Sequence, residues 1–191
     1  YRISLYERMP DSRKLSTSSL STHVRDIDSV LSHFRRAYPY KKIFLSAHSL
    51  SGLCTLILNP DVDAISLWDP AFDVSHFWKI TNALTHLPER KEYHLDYGNV
   101  FVLSEEMVEE MKTYPNAKCL KLAKEVKTPV QMIIPSLSIF LASPYTSPKK
   151  YIRALAGESE LIRMDSATHT FAESGNQDIL FQHTLDWFNR F

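Results

Sequence analysis

The chain has 191 residues, enough for one well-packed domain, and its 44% hydrophobic and 23% charged residues exclude a disordered polymer. Twenty-two Lys and Arg balance twenty-two Asp and Glu, which leaves no net pull toward nucleic acid or anionic lipid. Binding then belongs to a pocket rather than to a charged surface.

Short apolar runs alternate with amphipathic segments along the chain, the pattern of βα units around a parallel sheet. Tyr1–Tyr6 reads as a strand. A Ser/Thr loop over 16–21 leads into a helix whose apolar positions are Val24, Ile27, Leu31 and Phe34, and Pro39 ends it. Lys42–Ser46 reads as a buried strand, Leu50–Leu58 as a short apolar helix stopped before Pro60, and Ala64–Trp68 as a strand closed by Asp69-Pro70. From Ala71 to Val126 the rhythm breaks. This stretch holds the Phe77-Trp78 piece and a hairpin of Tyr93–Tyr97 and Val100–Leu103 that turns at Gly98-Asn99. A helix follows with Ser104 as its N-terminal cap and Glu105 and Glu106 at the positive end of its dipole. An insertion of this size between two parallel strands reads as a small cap over the carboxyl edge of the sheet. The rhythm resumes with a strand at Val130–Ile134, a helix at Pro148–Ala156 and a strand at Leu161–Met164. The last helix, Asp178–Phe191, is expected to bury Leu180, Phe181, Leu185 and Phe188. The expected class is α/β, a mostly parallel sheet of about five or more strands flanked by helices.

Cys54 and Cys119 are too few for a disulfide framework, and Cys54 reads as a small buried hydrophobe. His94, His169 and His183 lack the spacing of a metal site, and nothing in the sequence calls for a cofactor. No apolar run reaches the ~18 residues that span a bilayer. The first residues lack the basic and apolar regions of a signal peptide, so the expected location is the cytoplasm. Partners are expected to be a small acyl substrate, with neither nucleic acid nor membrane; a monomer and a homodimer both fit the sequence.

The string Ile43-Phe44-Leu45-Ser46-Ala47-His48-Ser49-Leu50-Ser51-Gly52-Leu53 is an apolar strand, a small-His-Ser-x-small-Gly turn and an apolar helix. A sharp strand-to-helix turn needs small residues on either side of the serine, here Ala47 and Ser51. Such a turn lifts the Ser49 hydroxyl to the sheet's carboxyl edge and sets the Leu50 N–H, at a helix N-terminus, beside it as an oxyanion donor. A serine that merely caps the helix is the alternative. The sequence resembles the α/β-hydrolases of the esterase, thioesterase and peptidase-like kind over most of its length. The elbow around Ser49, the strand and turn of Ala64–Pro70, the Tyr93–Met111 cap, Thr128-Pro129-Val130 and the ending Leu161–Phe171 carry the resemblance. It implies a single domain over 1–191 with a cap insertion at 71–126. It also implies that Ser49 is the nucleophile and His169 its base.

The family's usual acid follows the strand before the histidine's own, and Ser138 stands near that address; no Asp or Glu occurs between Glu125 and Glu158. Some members carry the acid one strand earlier, which makes Asp69 the orienting carboxylate; a turn opener is the other reading of Asp69-Pro70. Asp165 lies too close to His169 in sequence to be a comfortable partner. The family's earlier strand and its His-Gly loop have no counterpart in the sequence. His48, Phe77 and Trp78 are placed at the substrate pocket, with cap core as the alternative for the two aromatics. The resulting expectation is a serine hydrolase of small esters, thioesters or amides. A hydrolase-fold binding protein without turnover and an acyltransferase using the same Ser/His pair stand as alternatives.

Overall fold

A computed structural model describes residues 13–74, 84–96, 100–138 and 147–191. The expected strand at Tyr1–Tyr6, the Phe77-Trp78 piece and the Gly98-Asn99 turn lie outside the described residues. In chain order the elements are α1 (Leu20–Ala37), β1 (Phe44–His48), α2 (Leu50–Leu58), β2 (Ala64–Trp68), β3 (Leu84–Leu87), β4 (Glu92–Asp96) and β5 (Val100–Ser104). They continue with α3 (Glu105–Lys112), α4 (Asn116–Glu125), β6 (Val130–Pro135), α5 (Pro148–Ala154), β7 (Ser159–Met164) and α6 (Asn176–Phe188).

Four strands form a parallel sheet in the order β1-β2-β6-β7. Because side chains alternate along a strand, the sheet has two different faces. Ile65, Leu67, Met132 and Ile134 point into the main core with Leu20, Ile27, Leu53 and Tyr151, so α1, α2, α4 and α5 cover that side. Trp68, Ile133, Ile162 and Met164 meet Ala167, Phe171 and Leu180 on the side covered by α6. The two-sided covering explains why the strands read as continuous apolar runs rather than alternating ones.

Ser19 caps α1 through a reciprocal pair with Thr22, one residue before the first apolar position. The buried stripe of α1 is Leu20, His23, Ile27 and Leu31, with Val24 and Phe34 only half-buried. β1 starts two residues later than the apolar run suggests. The main chain of Ile43 is taken instead by Asp63, whose carboxylate accepts from its N–H at 2.7 Å and whose own N–H donates to its carbonyl at 2.9 Å. The ladder therefore extends to His48, directly against the serine. Cys54 and Cys119 are free and fully buried, and burial pushes the Cys54 thiol up to about 12.

In α6 the expected apolar stripe is corrected. Phe181 and Leu185 are 47% and 55% exposed, and the residues turned to the sheet are Leu180, Thr184 and Trp187. A polar seam on the sheet selects them. Ser66 donates to Gln131 at 3.0 Å, and the Trp68 indole N–H lies 3.0 Å from the Thr184 hydroxyl and 3.1 Å from that of Ser66. A half-buried indole N–H and a buried amide need partners, and Thr184 supplies one where Phe181 or Leu185 could not. Phe188, the fourth expected residue, is half-buried and stacks on Phe44 with ring centroids 4.8 Å apart.

Between β2 and β6 lies an antiparallel sheet in the order β3-β4-β5, one strand more than the hairpin legible in the sequence. Ser104 ends β5 and caps α3, as its position suggests. Its hydroxyl accepts from Met107 N at 2.9 Å and donates to the Ser18 carbonyl at 2.5 Å, which ties this unit to the start of α1. Among the described residues no helix is long and apolar enough to cross a membrane.

Candidate active site

Ser49 joins β1 to α2 with φ 57° and ψ −125°, a backbone region that side chains normally avoid. Holding a non-glycine residue there costs on the order of 1–3 kcal/mol, so the surroundings must over-determine it. They do so with three main-chain bonds: Ser49 N to the Trp68 carbonyl at 3.0 Å, and Ala71 N and Gly52 N to the Ser49 carbonyl at 3.0 and 2.9 Å. Ala47 before it is buried. The tightest point after it is Gly52 rather than Ser51. A Cβ on Gly52 would lie 2.5 Å from Pro70 Cβ, so α2 can settle onto the Asp69-Pro70 turn only without one. Leu50 opens α2, so its N–H has no acceptor within its own helix and sits at the positive end of the helix dipole.

Asp69 follows β2 as Ser49 follows β1. Its N–H donates to the Ile133 carbonyl at 2.8 Å, which extends the ladder to β6, and its φ of 39° turns the carboxylate inward. Its side chain is 2% exposed, an expensive place for a carboxylate unless donors surround it. Two donors converge on Oδ2: the Ser138 hydroxyl at 2.6 Å and His169 Nδ1 at 2.7 Å. Ser138 thus stands where the usual acid was sought, and it hands a hydrogen bond to the carboxylate that arrives from the neighbouring strand.

His169 comes from the loop after β7. That loop is sewn to the end of β6 by Ser136 N to the Met164 carbonyl (2.8 Å), Ser166 N to the Ser136 hydroxyl (2.9 Å) and Leu137 N to the Ala167 carbonyl (3.0 Å). Its far end is stapled by Glu173, whose carboxylate accepts from Thr168 N at 3.2 Å and Asn176 Nδ2 at 3.0 Å. The Thr168 side chain first, and then that of Asn176, hold the Glu173 carboxyl down to about 2 by hydrogen bonding. Phe171, fully buried with a φ of 53°, anchors the turn in the second core.

The imidazole of His169 lies between two partners, with Nδ1 at Asp69 and Nε2 3.0 Å from Ser49 Oγ. A carboxylate can only accept, so Nδ1 carries the proton and Nε2 presents its lone pair to the hydroxyl. Such a chain can draw a proton from a hydroxyl and spread the resulting positive charge toward a buried carboxylate. Of the residues placed by sequence, Ser49, His169 and Asp69 come together. Asp165 points away, with 93% of its side chain exposed and 4.0 Å from Arg163. Phe77 and Trp78 lie outside the described residues. His48 turns its Nε2 to the carbonyl of His169 at 2.7 Å. Sequence reasoning gave no role to Ser138 and did not reach Glu173; the one available signal was that Ser138 occupies the acid's usual address. Among the described residues no cluster of His, Cys, Asp and Glu could hold a metal ion.

No protein-family model matches the chain, and no curated protein sequence matches it. Solved structures are similar to it at low identity. The ferulic acid complex of Est1E from Butyrivibrio proteoclasticus is 15% identical with a TM-score of 0.74, over 97% of this chain and 74% of that one. The esterase domain of a Rhodothermus marinus protein is 16% identical with a TM-score of 0.68, over 92% and 70%. A monoacylglycerol lipase from Paleococcus ferrophilus is 16% identical with a TM-score of 0.60, over 92% and 77%. Together with the parallel sheet order and the serine at the strand-to-helix corner, these likenesses establish that the chain has the α/β-hydrolase fold.

Proposed function

We propose that the protein is a serine hydrolase of small carboxylic esters, thioesters or amides, with Ser49 as nucleophile, His169 as base and Asp69 as its orienting acid. The observation that carries the reading is the unbroken hydrogen-bond chain from the Ser49 hydroxyl through His169 to the buried Asp69 carboxylate. In the first step Ser49 Oγ bonds to the substrate carbonyl carbon while its proton passes to His169 Nε2. The carbonyl oxygen becomes an anion facing the Leu50 N–H, and collapse of the tetrahedral intermediate expels the alcohol, thiol or amine with the proton from His169. Water then repeats the sequence on the acyl-enzyme, giving its proton to His169 and releasing the acid. The structural neighbours that act on esters add support of a coarser kind, since their likeness is one of fold. In this reading the 71–126 insertion between β2 and β6, to which β3, β4, β5 and α3 belong, is the cap over the site, and His48 belongs to the pocket side of the sheet edge.

The test is hydrolysis of p-nitrophenyl acetate by the wild-type chain, Ser49→Ala and His169→Ala. The expected outcome is a burst of one p-nitrophenolate per chain followed by slower turnover in the wild type, and neither phase in the two variants. Equal rates in all three would refute the reading. Partition of the acyl group between water and an added alcohol separates hydrolysis from acyl transfer.

A further inference from the structure

We infer that His48 is a positioning residue, whose Nε2–H tethers the main chain of His169 to the strand that carries Ser49. The inference rests on the Ser49–His169 reading and adds a residue to it. His48 ends β1, one residue before Ser49, and its Nε2 lies 2.7 Å from the His169 carbonyl. A carbonyl accepts and never donates, so this ring nitrogen must carry the proton. The rings of His48 and His169 pack with centroids 4.6 Å apart at 32°, and Phe171 meets His48 edge-on at 6.2 Å. The base is therefore held twice. Its ring is fixed by Asp69 and Ser49, and its main chain by the residue next to the nucleophile.

The need for such a tether follows from where the base sits. His169 belongs to a loop between two residues in the left-handed region, Ser166 and Phe171, and loops position side chains less firmly than strands do. A displacement of about 1 Å at a reacting pair costs on the order of 10² in rate. β1 is the most direct reference for that placement, because any movement of the corner at Ser49 carries His48 with it.

Charge sets a second condition. When His169 accepts the serine proton it becomes a cation in ring contact with His48, and a second cation there would oppose it. Burial depresses the basicity of His48 below the ordinary histidine range; the bond to the His169 carbonyl opposes this, the neighbouring His169 adds to it, and Asp69 opposes it. Among the described residues, His169 and Asp69 are the titratable groups that act on it. His48 thus donates as a neutral ring while its neighbour changes charge.

The experiment compares wild type with His48→Phe, which keeps a ring without the donor, His48→Leu, which removes both, and His48→Gln, which keeps a neutral N–H donor. Ser49→Ala is the control, and each variant is first shown to melt cooperatively. Two quantities are read: kcat and KM for p-nitrophenyl acetate, and the low-field proton resonance of His169 Nδ1–H. His48→Phe and His48→Leu are expected to lower kcat by about 10² with KM nearly unchanged and to broaden the resonance away. His48→Gln is expected to return both toward wild type. Wild-type kcat with an intact resonance in the donorless variants would overturn the inference, as would a His48→Gln variant no better than His48→Phe. If wild type is no faster than Ser49→Ala, the Ser49 reading fails instead, and the resonance alone decides the tether: survival in His48→Phe refutes it, loss supports it.

Discussion

Two donors meet on a single oxygen of Asp69, and this sharing defines what substitutions there should do. Asp69→Asn replaces an acceptor with an amide that favours the wrong imidazole tautomer, so kcat for ester hydrolysis should fall by about 10⁴ while KM stays close to wild type. The Ser138 hydroxyl lies 2.6 Å from the same oxygen, so a carboxylate grafted there can reach His169 Nδ1 from the other strand. The double variant Asp69→Asn/Ser138→Asp should therefore recover part of the lost kcat in the same assay; a double no faster than Asp69→Asn alone would show that the address of Ser138 cannot serve. Ser49 was legible because a strand precedes it, a helix follows it and small residues flank it on both sides, and His169 because it lies in a polar loop directly after a strand, at the address the family resemblance implies for the base. Asp69 was legible only by its address at a strand end. The parts of Ser138 and His48 were not, since each is a donor toward a residue 69 or 121 positions away that only the convergence of strand ends brings near; Glu173 closes a turn within its own loop, five residues from Thr168. The Glu173 staple is not a pH switch in the working range: its carboxyl is depressed from 4.5 to about 2, so its contribution to stability is full above 4.5 and is lost only as the pH falls from there toward 2.

Elements with continuous apolar runs, α2 and β2, match their sequence boundaries residue for residue, because burial on all sides leaves no phase to misjudge. Amphipathic α6 departs in phase from its own hydrophobic pattern. Hydrophobicity favours Phe181 and Leu185, but the sheet beneath offers Ser66, Gln131 and the Trp68 indole, and that seam is invisible from the helix's own sequence. Thr184→Val should consequently destabilise the fold by about 0.5–1.5 kcal/mol despite adding apolar surface, because the Trp68 N–H keeps only the Ser66 hydroxyl as acceptor; denaturant unfolding followed by fluorescence would check it. At the elbow, Gly52→Ala places a methyl 2.5 Å from Pro70 Cβ and cannot be absorbed by a side chain swinging away. It should cost about 1–3 kcal/mol in the same unfolding measurement and move Ser49 away from His169.

Across the whole molecule, the alternation of runs was enough to expect a parallel sheet with helices on both faces, and the βα order could be followed through the insertion. The third strand of the antiparallel unit has no clear sequence signal, because Leu84–Leu87 is only four residues long with a polar pair at its centre. Two histidines, buried His23 and half-buried His48, link the fold to pH. Burial lowers His23 and His48 from 6.5, and the charges around them only partly offset it. An unfolded chain then binds more protons than the folded one between those lowered values and 6.5, so stability is full above that range and falls as the pH drops through it. Thermal melts from pH 7.5 to 5.0 should show a falling midpoint, and His23→Gln should flatten the slope. The central claim, that the corner at residue 49 presents an activated hydroxyl to the imidazole, is tested most directly by a fluorophosphonate probe with the adduct mapped by mass spectrometry. The account predicts one adduct per chain on Ser49, lost in Ser49→Ala and strongly slowed in His169→Ala. A cooperatively folded wild-type chain that takes no probe at Ser49, or takes it equally fast without His169, would contradict it.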